Sequence, residues 1–202
     1  MRKLTIALLV INFLMGAGCA QKPGIIAGPE MAVVRNNYFS DTSKDYVYRT
    51  KIFVYGNELN GILIAKKISD ATHRVVLTTD FGNTLFDFEI GKDVFKINNI
   101  VADLDRKIIV NTLRDDFRLV LREQYATTDG ALDNNGKLTQ ESRNEGNLLR
   151  FSSSDNRLTT ISSGTSRKQK VIIGFESENN IFADKITIRH YDIKLQIEMI
   201  HF

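Results

Sequence analysis

Between residues 75 and 90 the chain is built for one local structure. Val75-Val76-Leu77-Thr78-Thr79 and Thr84-Leu85-Phe86-Asp87-Phe88-Glu89-Ile90 are two β-rich runs flanking Asp80-Phe81-Gly82-Asn83, whose Gly and Asn tolerate positive φ. In the second run Phe86, Phe88 and Ile90 alternate with Leu85, Asp87 and Glu89, the period of a strand with one apolar face. The pattern predicts a β-hairpin with Phe81 at its tip, where turn chemistry favours a polar residue. Phe81 therefore either folds back onto the sheet or stands out as an apolar finger for a lipid or another protein.

The same period recurs along the chain. Residues 46–55 are β-branched and aromatic, and 61–67 place Ile62 and Ile64 on one face with Leu63 and Ala65 on the other. In 94–100, Phe95 and Ile97 oppose Lys96 and Asn98. Runs at 148–152, 157–162, 170–176 and 185–191 follow, and the last alternates Ile193, Leu195, Ile197 and Met199 with Lys194, Gln196 and Glu198. Connections as short as Gly56-Asn57-Glu58 leave no room for helical crossovers, so about ten strands form an antiparallel meander. A sheet of this size curls. One segment breaks the period. Between about 102 and 124, Ile109, Leu113, Phe117, Val120 and Leu121 form a single helical stripe, with Arg106, Lys107, Arg114, Asp115, Arg118 and Arg122 mostly outside it and Asp103 or Asp105 as N-cap. That basic face either meets solvent or touches anionic lipid. The expected fold is mainly β with one long helix (α+β), the helix lying across the concave side of a curled sheet. Residues 127–147 are polar and rich in Gly, Asn and Asp. Ala131 and Ser142 stand where calcium-loop spacing would need ligands, so a mobile loop is expected there.

The N-terminus carries an address. Arg2 and Lys3 precede a short apolar run, then Gly16-Ala17-Gly18-Cys19, a secretory pattern too short for a membrane span. Cys19 is the one cysteine in the chain, so no intramolecular disulfide can form. Its position resembles a bacterial lipobox, although Gly16 stands where an aliphatic residue is usual. By that resemblance, 1–18 is a signal peptide and Cys19 a lipidated mature terminus. Residues 19–44 hold both prolines and read as a tether, within which Met31 to Val34 is equally compatible with helix or strand. Ala20, where inner-membrane retention would favour Asp, points to the outer membrane. The domain is then 45–202. Two of the three net positive charges belong to Arg2 and Lys3, and no basic stripe with interleaved aromatics exists, so no nucleic-acid partner is expected.

Catalytic chemistry finds no foothold. His73, His190 and His201 have no metal-ligand spacing, and His190 shares the parity of Ile186 and Ile188, as a satisfied or rim histidine would. No nucleophile elbow, phosphate loop or dinucleotide glycine set occurs. Asp87 and Glu89 share the face opposite Phe86 and Phe88 and read as solvent-side charges. The expectation is a protein that is not an enzyme, with no metal and no cofactor.

Three stretches carry a family likeness: Asn60-Gly61-Ile62-Leu63-Ile64, Leu77 to Thr84 with its apolar residue before Gly at the tip, and Ala183-Asp184-Lys185-Ile186-Thr187-Ile188 with 193–199 after it. In these the chain resembles the LolA/LolB half-barrel family, and within it the LolB-like outer-membrane lipoprotein receptors. It departs from them in having Asp80-Phe81 where Pro-Leu is common, and in lacking tryptophan. The resemblance implies a half-open barrel with a helical lid or plug that binds acyl chains of lipoproteins or lipids and passes them to the membrane. It implies a periplasm-facing, lipid-anchored monomer served by a LolA-like carrier, with Phe81 as the transfer finger. The matching cavity would be lined by Phe53, Ile62, Ile64, Phe86, Phe88, Phe95, Ile173, Phe175, Ile188, Leu195 and Ile197. The same residues could instead form a filled core, which would make the chain a non-catalytic scaffold binding a partner through its rim.

Overall fold

The computed structural model describes residues 32–127, 129–144 and 147–202. The expected signal segment 1–18, Cys19 and the first part of the tether, up to residue 31, lie outside the described residues. In chain order the elements are β1 (Ala32–Arg35), β2 (Asp45–Val54), β3 (Asn57–Ser69), β4 (Thr72–Thr78), β5 (Thr84–Gly91), β6 (Phe95–Ile100), α1 (Lys107–Leu121), β7 (Gln124–Thr127), β8 (Asp129–Leu132), β9 (Leu138–Asn144), β10 (Asn147–Ser154), β11 (Arg157–Gly164), β12 (Gln169–Glu176), β13 (Lys185–His190) and β14 (Leu195–His201).

Twelve strands form one antiparallel sheet in the order β6-β5-β4-β3-β2-β14-β13-β12-β11-β10-β9-β8, and β1 pairs with β7 in a small second sheet. Every neighbour in the large sheet is the next strand in sequence except at one seam, where β2 pairs with β14 from Val54↔Leu195 to Tyr48↔His201. The meander is as expected; its length is not. Residues 127–147, expected as a mobile loop, instead carry β8 and β9, which extend the sheet beyond β10. Their polarity misled: Thr139, Glu141 and Arg143 alternate with Leu138, Gln140 and Ser142, so the strand is legible only by pairing and not by an apolar face. Gln140 is buried and its Nε2 donates to Thr127 Oγ1 at 3.0 Å, which ties β9 to β7.

The tether boundary also moves. Residues 32–44 belong to the domain: Ala32–Arg35 form β1, and Tyr38 and Phe39 are buried beneath the large sheet's inner face. Tyr38 stacks on Phe175 at 5.3 Å and its hydroxyl donates to the Leu158 carbonyl at 2.8 Å, a pull strong enough to end any tether there.

The helix is shorter than the expected 102–124. Residues 102–104 form a turn and 105–106 an irregular link, the N-cap is Arg106 with no side-chain cap bond, and neither Asp103 nor Asp105 serves. Its stripe of Ile109, Leu113, Phe117, Val120 and Leu121 is wholly buried, as the spacing predicts. Phe117 packs on Phe86 of β5 at 5.9 Å between ring centres, while Asp116 on the same helix reaches His190 of β13. In the sheet those two strands are five neighbours apart, roughly 24 Å if the sheet were flat. One helix, roughly 10 Å wide, spans both because the sheet curls around it. The two edge strands, β6 and β8, do not pair with each other.

Candidate functional site

Phe81 stands out at the end of the β4–β5 hairpin. The Gly82 N–H donates to the Thr79 carbonyl at 2.9 Å, Gly82 takes φ +83°, and the Thr79 N–H then closes onto Asn83 at 2.8 Å. The Asn83 N–H adds a bond to Thr79 Oγ1 at 3.1 Å. Gly82 is needed in this turn because a side chain is disfavoured at that φ. The tight loop leaves Phe81 no surface to fold back on, and it is 93 % exposed, by far the most exposed large apolar residue described. Behind the hairpin, Gly61 of β3 sits so close to β4 that an added Cβ would lie 1.9 Å from the Thr78 carbonyl. The base of the finger is therefore seated directly on the neighbouring strand's backbone.

Of the eleven residues expected to line a cavity, the structure brings eight together. Phe86, Phe88, Ile173, Phe175, Ile188, Leu195 and Ile197 are buried on the inner face, and Phe95 packs partly buried against Phe88 at 5.4 Å. Phe53, Ile62 and Ile64 do not join them. All three lie on the outer face: Phe53 pairs across to Glu58 and Gln196, and Ile64 to Val47 and Val76. The parity of the whole strand decides this. Phe53 shares its side of β2 with Asp45, Arg49 and Lys51, and Ile62 and Ile64 share theirs with Glu58, Asn60 and Lys66. Turning those charges inward would cost far more than exposing three aliphatic or aromatic side chains.

The inner face is occupied by the helix. Leu113 and Phe117 are 0 % and 1 % exposed and pack in one cluster with Phe86, Leu77 and Ile188. The eight inward residues line neither of two clefts that lie among the described residues. The larger, of about 720 Å³, lies beside the C-terminal half of α1, walled by the β3–β4 and β5–β6 turns and by β10 and β11. The smaller, of about 190 Å³, lies at the other end of the helix, between Tyr55 and Asn57 of the β2–β3 turn and Asp103, Leu104 and Arg106.

One functional-looking group was not anticipated. Asp116 is 1 % exposed on the apolar side of α1, and both its oxygens accept from His190 Nε2, at 3.0 and 2.9 Å. Burial pushes the Asp116 carboxyl up to about 6, against the pull of the imidazole. For His190, burial alone would lower the imidazole, but the Asp116 bond and charge, with Asp192 at 3.7 Å from Nδ1, leave it raised. The satisfied reading of His190 holds. The signal for its partner was present: Asp116 falls three residues after Leu113 and four before Val120, inside the apolar stripe. Elsewhere His73 is buried against the Phe39 carbonyl at 2.8 Å, and its imidazole is held below the usual value by burial. Asp87 is on the outer face as expected but not openly solvated, since Arg74 covers it with bonds of 3.0 and 2.6 Å. Asp133 spends its carboxylate on the Asn135 and Lys137 amides at 2.9 Å, a turn role. No group of three or more His, Cys, Asp or Glu among the described residues is placed to hold a metal ion.

No family model matches the chain, and no curated protein matches it. Among solved structures the chain is similar to a LolA superfamily protein from Nitrosomonas europaea, with 9 % identity and a TM-score of 0.44 over 83 % of this chain and 88 % of that one. At that identity and score the likeness transfers no residue role from that protein to this chain.

Proposed function

We propose that the chain is a LolB-like outer-membrane lipoprotein, anchored through Cys19 and facing the periplasm, which takes acyl chains of lipoproteins or lipids against the inner face of a half-barrel and passes them to the membrane. The observation that carries this reading is Phe81: a large apolar side chain held 93 % exposed on a tightly bonded hairpin. Water exacts a cost for such a residue, and a hairpin seated on Gly61 is a rigid way to present it to a lipid surface. The partners on this reading are membrane lipid, lipoprotein acyl chains and a LolA-like periplasmic carrier. The inner-face residues Phe86, Phe88, Phe95, Ile173, Phe175, Ile188, Leu195 and Ile197 would receive acyl chains once α1 moves aside, each methylene leaving water for about 0.8 kcal/mol.

A second reading is favoured by a specific observation, the filled inner face. With Leu113 and Phe117 packed among those residues, the chain would be a non-catalytic scaffold that meets a protein partner through its rim. Titration of the native protein with an environment-sensitive apolar dye, followed by displacement with palmitate, separates the two. Dye fluorescence that rises and is then lost to palmitate supports acyl binding. A native protein that ignores both, while its heat-denatured form binds dye, supports the scaffold.

A further inference from the structure

The cleft of about 720 Å³ takes no part in the reading above, and its volume is that of a small-ligand site. Arg114 and Arg118 of α1 and Arg122, the residue that caps its C-terminal end, follow one another four apart along the wall of this cleft. Like charges at this spacing repel one another along a helix. Their nearness to the helix C-terminus offsets part of that cost, but a dipole asks only for positive charge and not for a fixed orientation. These guanidinium groups are oriented. Arg114 Nε donates to Asp115 at 2.8 Å, Arg118 Nε to the Gly91 carbonyl at 3.1 Å, and Arg122 Nε to the Gln124 carbonyl at 2.8 Å.

Among the described residues, the terminal nitrogens of Arg118 and Arg122 donate to no side chain or carbonyl. Both are pinned by the inner nitrogen, and the Arg122 guanidinium also lies over the Tyr125 ring, its Cζ 4.9 Å from the ring centre, which leaves the fork edges to meet a planar or tetrahedral anion. Four carboxylates share the walls. Asp115 is engaged by Arg114, and Glu123 by Lys67 at 2.6 Å, so neither opposes an incoming anion at full strength. Asp70 and Asp93 sit in the β3–β4 and β5–β6 turns, with Lys92 beside the latter. The cleft also has an apolar wall in Leu119, which is only partly buried, with Ile90, Leu121 and Leu149 packed behind it.

We propose that this cleft binds an anionic amphiphile with a phosphate-type headgroup, the headgroup on the Arg118 and Arg122 forks and the apolar portion against Leu119. The proposal goes beyond the acyl-chain reading and is independent of it, since the residues of the two sites do not overlap. Isothermal titration of the full chain in nonionic detergent, with n-hexyl phosphate, inorganic phosphate and 1-hexanol as probes, tests it. Hexyl phosphate should bind about tenfold tighter than inorganic phosphate, the gain from burying about two methylenes. Arg118→Gln with Arg122→Gln should weaken it by about tenfold or more, measured well below the variant's own melting midpoint so that the loss of their bonds to the Gly91 and Gln124 carbonyls does not enter. Each single change should fall between, and Arg106→Gln, at the other end of α1, should leave binding as it was. Hexyl phosphate binding that survives the double change at full strength, or that hexanol displaces as well as phosphate does, overturns the proposal. Equal binding of inorganic and hexyl phosphate overturns the amphiphile and leaves a site for a free phosphate-type anion.

Discussion

Phe81 concentrates the functional question in one side chain. It makes no burial that a substitution could remove, so Phe81→Glu should change the unfolding free energy by about 0.5 kcal/mol or less and leave the denaturant midpoint nearly where it was, while abolishing delivery of an acylated cargo to liposomes. Phe81→Leu should deliver nearly as well as the parent, because it keeps an apolar tip. A large fall in midpoint for Phe81→Glu would show that the ring is packed in solution and end the finger reading. The exposure of this residue was legible only as an anomaly, an aromatic where a turn wants polarity. What resolves it is the turn itself: with Gly82 at φ +83° and Thr79 bonded to both Gly82 and Asn83, the loop is too short to bend the ring back. The outward placing of Phe53, Ile62 and Ile64 was legible too, but only through their charged neighbours of equal parity. Ile62-Leu63-Ile64-Ala65 taken alone has no parity, since both faces are apolar.

At the scale of elements, the helix and its tie to β13 decide how the molecule responds to acid. Asp116 has a folded value raised to about 6 from an ordinary 3.8, so the stability it contributes is present below about 4 and is lost as pH rises through 6. The His190 imidazole is also raised, from 6.5, so its contribution is present below that and is lost as pH climbs through the higher folded value. The two slopes have one sign: the stability these two groups contribute declines from about pH 4 to beyond pH 6.5, with Asp115 adding to the rise of Asp116 and Asp192 to that of both. Asp87, Glu89 and Asp41 are lowered and act oppositely at the acid end, so the difference between parent and Asp116→Asn isolates the pair. Asp116→Asn keeps an acceptor for His190 and should flatten the decline, by on the order of 2–3 kcal/mol between pH 4 and 7 in urea titrations. Parallel curves for the two proteins would refute the assignment. The alternation of the strands and the four-four-three-one spacing of the helix stripe were enough to read these elements. β8 and β9 were not readable, because polar strands paired at a sheet's edge announce themselves in no face of their own.

At the scale of the whole molecule, a tethered protein on the proposed reading must lose its place when Cys19 loses its thiol. Cys19→Ser should move the protein from the membrane pellet to the soluble fraction on lysis, with the folded domain's melting curve unchanged; retention in the pellet through a high-salt wash would disprove the anchor. The overall layout was legible where strands follow one another by short turns. It was not legible at the seam between β2 and β14, because nothing local in either strand names so distant a partner. Periodicity reports which face a strand buries and stays silent about who lies beside it.

That seam also sets an order of events. β2 and β14 are far apart in sequence, yet Ile52 must lie against Ile197 and Thr50 against Met199 for the two halves of the sheet to join. The local hairpins of each half can form by themselves, but the centre closes only when β14 meets β2, and the entropy of bringing such distant segments together opposes that step. Until those two strands meet, the sheet is two separate halves.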